Sequence, residues 1–133
     1  PAQLPAGGSE TILLVEDEEQ VRALSRAILE MNGYRVIEST HVGDAILLFE
    51  THAAEIDLML TDVIMPSMNG RELYERLASL KPGLRVLYMS GYTDGAIEQH
   101  GVLEAGTAFI QKPFTPDSLA EKVRSVLDRR EAA

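Results

Sequence analysis

The stretch Ile56–Leu80, IDLMLTDVIMPSMNGRELYERLASL, decides how the chain folds. It opens with a nearly continuous apolar run of strand length that ends on a carboxylate, Asp62. A turn-rich segment with Pro66, Asn69 and Gly70 follows, and then Leu73, Leu77 and Leu80 recur at helical spacing until "KPG" stops them. A run without polar alternation fits a strand covered on both faces, as in parallel sheets. A strand followed by a helix is the repeating half of such a sheet.

The same unit recurs on either side. Strand-like runs are expected at Thr11–Val15, Tyr34–Glu38, Ile56–Thr61, Arg85–Ser90 and Thr107–Gln111. Helix-length segments lie between them. Val21, Leu24, Ile28 and Met31 mark the core face of the first, and Ala45, Leu48 and Phe49 that of the second. The last helix is expected to open at Thr115 as N-cap with Pro116 at its first position, burying Leu119, Val123, Val126 and Leu127. A fourth helical segment, punctuated by Gly95, Gly101 and Gly106, carries the weakest helical signal. Five strands and five helices in alternation give a doubly wound, flavodoxin-like (βα)5 fold. Its parallel sheet is expected in the order 2-1-3-4-5, by analogy with a chemotaxis protein of this type.

The bulk properties fit one such domain. The chain has 133 residues, 45% hydrophobic and 25% charged, enough for a single core. A formal net charge of −9 argues against direct contact with nucleic acid. No apolar run would span a bilayer, so no membrane contact by this domain is expected, and the absence of cysteine permits a reducing cytoplasm. Residues 1–10, Pro- and Gly-rich at their start, read as linker, 11–130 as the domain and 131–133 as tail; the expectation is a domain taken from a longer chain.

In open α/β sheets, ligands bind beyond the carboxyl ends of the strands, where the strand order reverses. Glu16 and Asp17 end strand 1, Asp62 ends strand 3, Ser90 and Gly91 end strand 4, and Lys112 and Pro113 follow strand 5. Each has a plain alternative. Asp17 with Gln20 fits a capping box, Asp62 a turn, Ser90 a loop and Lys112-Pro113 another turn. Their convergence on one edge has a chemical reading. Clustered carboxylates repel unless a cation is supplied, a hard divalent ion such as Mg²⁺ suits oxygen donors, and a carboxylate can accept a phosphoryl group. Phosphoryl transfer then needs charge stabilisation, which Lys112 can supply, while Ser90 can hydrogen-bond the arriving group.

The set "LLVEDEE", "TDVIMPSMNG", "YMSGYT" and "FIQKPF" resembles the receiver domain of two-component response regulators over Thr11–Leu127. The resemblance implies Asp62 as phosphoacceptor and Mg²⁺ (or Mn²⁺) held by Glu16, Asp17, Asp62 and the backbone carbonyl of Ile64. It implies Lys112 on the phosphoryl group, Ser90 and Phe109 as switch residues, and a cis Lys112-Pro113 bond. Phe109 stands where tyrosine is common, and Glu16 where aspartate often stands and where a water can separate it from the metal.

The implied function is a non-enzymatic signalling domain of a phosphorelay, phosphorylating and dephosphorylating only itself. A histidine kinase or histidine phosphotransfer domain is the implied partner. Phosphorylation would repack the strand 4–helix 4–strand 5–helix 5 face, with Tyr92 on the output surface; a homodimer through the same face is also allowed. The glycine-punctuated stretch and the "GGSETILLVEDE" start further resemble receivers at the C-terminal side of hybrid sensor histidine kinases, placing the domain in the cytoplasm, tethered where the kinase is membrane-bound. A stand-alone regulator or the receiver of a DNA-binding regulator is the alternative context.

A haloacid-dehalogenase-type phosphatase would want a second acid two residues after the nucleophile, where Ile64 stands. An interaction module incapable of phosphorylation would lack part of the acid set. His41, His52 and His100 are isolated from one another, and the five methionines read as packing residues.

Overall fold

The computed structural model describes residues 7–64, 69–90 and 108–129. Five strands, β1 (Thr11–Val15), β2 (Arg35–Ser39), β3 (Ile56–Asp62), β4 (Arg85–Ser90) and β5 (Phe109–Gln111), form one parallel sheet in the order 2-1-3-4-5. Four helices are described: α1 (Glu19–Met31), α2 (Val42–His52), α3 (Gly70–Leu80) and α4 (Pro116–Asp128). The expected fourth helical segment and Tyr92 lie outside the described residues, so the helix anticipated as the fifth is α4 here.

Both faces of the sheet are covered, which is why its strands lack polar alternation. On β1, Ile12 and Leu14 point to one side and Leu13 and Val15 to the other, all inaccessible to solvent. Ile12 and Leu14 pack with Ile28 and Leu29 of α1 and with Leu119, Val123, Val126 and Leu127 of α4. Leu13 and Val15 pack with Val42, Ala45 and Phe49 of α2 and with Leu73 and Leu77 of α3. Burying a side chain of this size stabilises by about 1.5–3 kcal/mol.

Two expectations about the helices are corrected, and one alternative reading is excluded. Leu24 and Met31 are exposed, and the core side of α1 is instead Ser25, Ile28 and Leu29. Leu80, at the end of α3, is also exposed. Asp17 does not cap α1, because the N-cap is Glu18 and its side chain makes no capping bond.

The other starts are well capped. Asn69 and Glu72 form a capping box on α3, and Thr115 and Ser118 form one on α4 with Pro116 in its first turn. His41 caps α2 by accepting the Asp44 amide on Nδ1, while His52 pairs with Glu55. These are local structural contacts; His100 lies outside the described residues.

Candidate functional site

Glu16, Asp17, Asp62, Ser90 and Lys112 each sit at or just past the last rung of a strand, so the ladder fixes their aim. The amide of Glu16 donates to Ser39 O at 3.1 Å, that of Val63, directly after Asp62, to Met89 O at 3.0 Å, and that of Lys112 to Ser90 O at 2.7 Å. These bonds tie the ends of neighbouring strands together. The side chains of Glu16, Asp17 and Asp62 thereby converge, offering carboxylate oxygens that all lie within 4.8 Å of one another.

Lys112, directly after β5, reaches this cluster. Its Nζ lies 2.6 Å from Asp62 Oδ1 and 2.9 Å from Glu16 Oε1. Glu16 is fully buried and its second oxygen, Oε2, accepts the Glu18 amide at 3.0 Å. Asp17 is exposed, whereas Asp62 is buried. The Lys112-Pro113 peptide bond is cis, as the resemblance implied.

Burial and charge give the two buried acids different states. Burial, reinforced by the Glu16 carboxyl, pushes Asp62 up to about 8, and Lys112 only partly opposes this. Burial also acts to raise Glu16, but hydrogen bonds from Asp62, the Glu18 amide and Lys112 outweigh it and hold Glu16 below its ordinary value. Lys112 is held above its ordinary value because its bonds to Asp62 and Glu16 overcome its own burial. The same surroundings thus act in opposite directions on the two acids, disfavouring charge on Asp62 and favouring it on Glu16 beside the ammonium.

The remaining candidates occupy the surround. Ser90 is buried at the end of β4. Ile64 lies two residues past Asp62 with its side chain exposed. Phe109 begins β5 in register with the buried Tyr88 and is 37% exposed, so its ring stands at the sheet's edge rather than among the acids.

Two contributors were not read from the sequence. Gly70 does more than turn the chain into α3: a Cβ there would collide with the carbonyl oxygen of Asp62. Its amide donates to Val63 O at 2.6 Å, so helix α3 starts directly against the backbone that carries Asp62. Arg22, in the second turn of α1, reaches back to the carbonyl of Glu16 at 3.1 Å. Its only sequence signal is an arginine five residues after the second acid of an acidic pair at a strand end.

Residues 12–124 match the response regulator receiver domain, and the chain belongs to that family. It is 34% identical over 124 residues to the sensor kinase CckA of Brucella abortus, covering 93% of this chain and 13% of that protein. It is 31% identical over 117 residues to the transcriptional regulatory protein YbdJ of Bacillus subtilis, covering 88% of this chain and 50% of that one. The chain thus spans half or less of the length of these relatives. Among solved structures, the receiver domain of the hybrid histidine kinase CckA superposes with a TM-score of 0.74 at 31% identity, covering 89% of this chain and 99% of that one. Among the described residues, no helix is long and apolar enough to cross a membrane.

Proposed function

We propose that this chain is a phosphoacceptor domain of a two-component phosphorelay, with Asp62 receiving the phosphoryl group from a phosphohistidine. The observation that carries this reading is the convergence of Asp62, Glu16 and Asp17 with Lys112 at the carboxyl ends of the strands. An oxygen of Asp62 would bond phosphorus as the phosphorus–nitrogen bond breaks, the departing imidazole taking up a proton. The Lys112 ammonium stands where it can balance charge on the transferred group.

Three carboxylates drawn this close suit a hard divalent cation, so the residues fit Mg²⁺ or Mn²⁺. Asp17, Asp62 and Glu16, with the carbonyl of Ile64, are the proposed holders. The metal would supply positive charge to the phosphoryl oxygens. Ser90 is the proposed hydroxyl that reports phosphorylation, and Phe109 the aromatic that responds at the edge formed by β5 and α4. That edge, with the segment before β5, is the proposed output face and the surface for a homodimer. As a domain, the chain would turn over nothing but its own phosphoryl group.

The relationship to CckA supports a place within a hybrid sensor histidine kinase; a histidine kinase or histidine phosphotransfer domain is the proposed donor, and the cytoplasm the proposed location. The relationship to YbdJ supports a second context, the receiver of a transcriptional regulator. Incubation with Mg²⁺ and acetyl phosphate or phosphoramidate, read by intact mass, tests the core reading. A phosphoryl-sized gain that disappears with EDTA and in Asp62→Asn is expected. No gain, together with no Mg²⁺-dependent change in thermal stability, would overturn it.

A further inference from the structure

We infer that Arg22 is a positioning residue for the proposed metal site, acting by clamping the loop between β1 and α1. This inference rests on the acceptor-site reading. Residues Glu16–Glu19 are four consecutive carboxylates, and α1 begins among them without a side-chain cap. Such a start leaves helix amides unsatisfied and the loop weakly held. Three contacts compensate. The Glu16 amide is fixed to Ser39 O, and the Glu16 carboxylate holds the Glu18 amide. The third is the Arg22 guanidinium, which donates to Glu16 O at 3.1 Å and closes the loop from the helix side.

Asp17 lies between the two residues that these contacts fix. It is exposed, and its aim at Asp62 is set by the backbone at Glu16 and Glu18. Loosening the Glu16 carbonyl therefore loosens the aim of Asp17. Arg26, one turn further along α1, carries the same charge but spends its guanidinium on Glu30 and Glu38, both at 3.1 Å. It is a built-in control for charge without clamping.

Positioning and simple charge predict opposite signs. Removing a cation near an acidic cluster should tighten binding of Mg²⁺ by electrostatics alone. Removing a clamp should weaken it, by about three- to tenfold for the loss of one supporting hydrogen bond. The experiment is calorimetric titration of Mg²⁺ into the wild-type chain, Arg22→Ala, Arg22→Lys and Arg26→Ala. Weaker binding in Arg22→Ala, partial recovery in Arg22→Lys and no weakening in Arg26→Ala are expected. Binding by Arg22→Ala as tight as wild type, or tighter, overturns the inference while leaving the acceptor site standing. Absence of Mg²⁺ binding by the wild type overturns the acceptor-site reading itself. Should Arg22→Ala fail to fold, Arg22→Lys alone decides: affinity weaker than wild type at unchanged charge supports the clamp, and affinity equal to wild type overturns it.

Discussion

Two cations each serve two carboxylates, at opposite ends of the sheet, and the results differ in kind. At the carboxyl end, Lys112 lies between Glu16 and Asp62, whose side chains are 1% and 7% exposed. At the amino end, Arg124 bonds Glu10 at 2.7 Å and Asp128 at 2.8 Å, with side chains 30% and 64% exposed. The Arg124 hydrogen bond holds Glu10 below its ordinary value, whereas burial drives Asp62 well above. Similar partners thus make a settled brace where water helps and an unresolved charge where it is excluded. Arg124 also donates to Gly7 O and so fixes the chain entering β1. The other end holds one more carboxylate than its cation can satisfy, a state that a divalent ion would relieve.

The largest expected effect breaks the site end of this comparison. Asp62 has its carboxyl raised from the ordinary 3.8 to about 8, so the folded state binds more protons than the unfolded state between those values. Stability then falls as pH rises through that window. Asp62→Asn removes the cost, and metal-free protein should gain about 5 kcal/mol at pH 8 but little at pH 4. Urea unfolding at the two pH values measures this. An equal gain at both would mean that side-chain packing, rather than the buried charge, sets the effect.

Next in size is Gly70→Ala. The added methyl meets the Asp62 carbonyl, a backbone atom that cannot swing aside. Overpacking of this kind costs about 1–3 kcal/mol, and the displaced Asp62 should also weaken Mg²⁺ binding. A urea midpoint within error of wild type would show that the start of α3 can shift without cost. The corresponding change at the amino end is smaller. Arg124→Met should cost about 1 kcal/mol and be blunted by salt, since its acids are partly hydrated. Because the carboxyl of Glu10 is lowered, its share is present above its ordinary 4.5 and fades as pH falls. The two ends should therefore respond to rising pH with opposite signs, which parallel pH series of Asp62→Asn and Glu10→Gln would test.

The sheet was legible because its signal is redundant. Continuous runs such as Leu58–Leu60 and Leu87–Met89 have no polar face to place in water, and a two-sided parallel sheet is the arrangement that spares them one. The acids and Lys112 were legible for the same reason: they fall at the ends of those runs. Details that depend on a single angular step were not. The stripe traced by residues 21, 24, 28 and 31 on α1 meets the buried face at Ile28, and each residue on a helix advances about 100°, so Ser25 and Leu29 complete that face while Leu24 and Met31 turn outward. That Lys112 is shared by two acids, or that Arg22 folds back on Glu16, depends on side-chain directions over a turn or across the sheet.

Ser25 offers the smallest and sharpest test of what burial costs away from the site. Its side chain is fully buried on α1, and its hydroxyl has no hydrogen-bond partner among the described residues. A hydroxyl taken from water without compensation costs about 1–3 kcal/mol, while serine fits a helix slightly less well than alanine. Against this, Ser25→Ala loses a few contacts of one oxygen atom with its neighbours. The balance should favour alanine by about 0.5–1 kcal/mol, independent of pH because no titrating group is removed. Urea unfolding beside Asp62→Asn would then separate two kinds of buried polar cost, one that varies with proton concentration and one that does not. A loss of stability in Ser25→Ala would mean that the hydroxyl is satisfied after all.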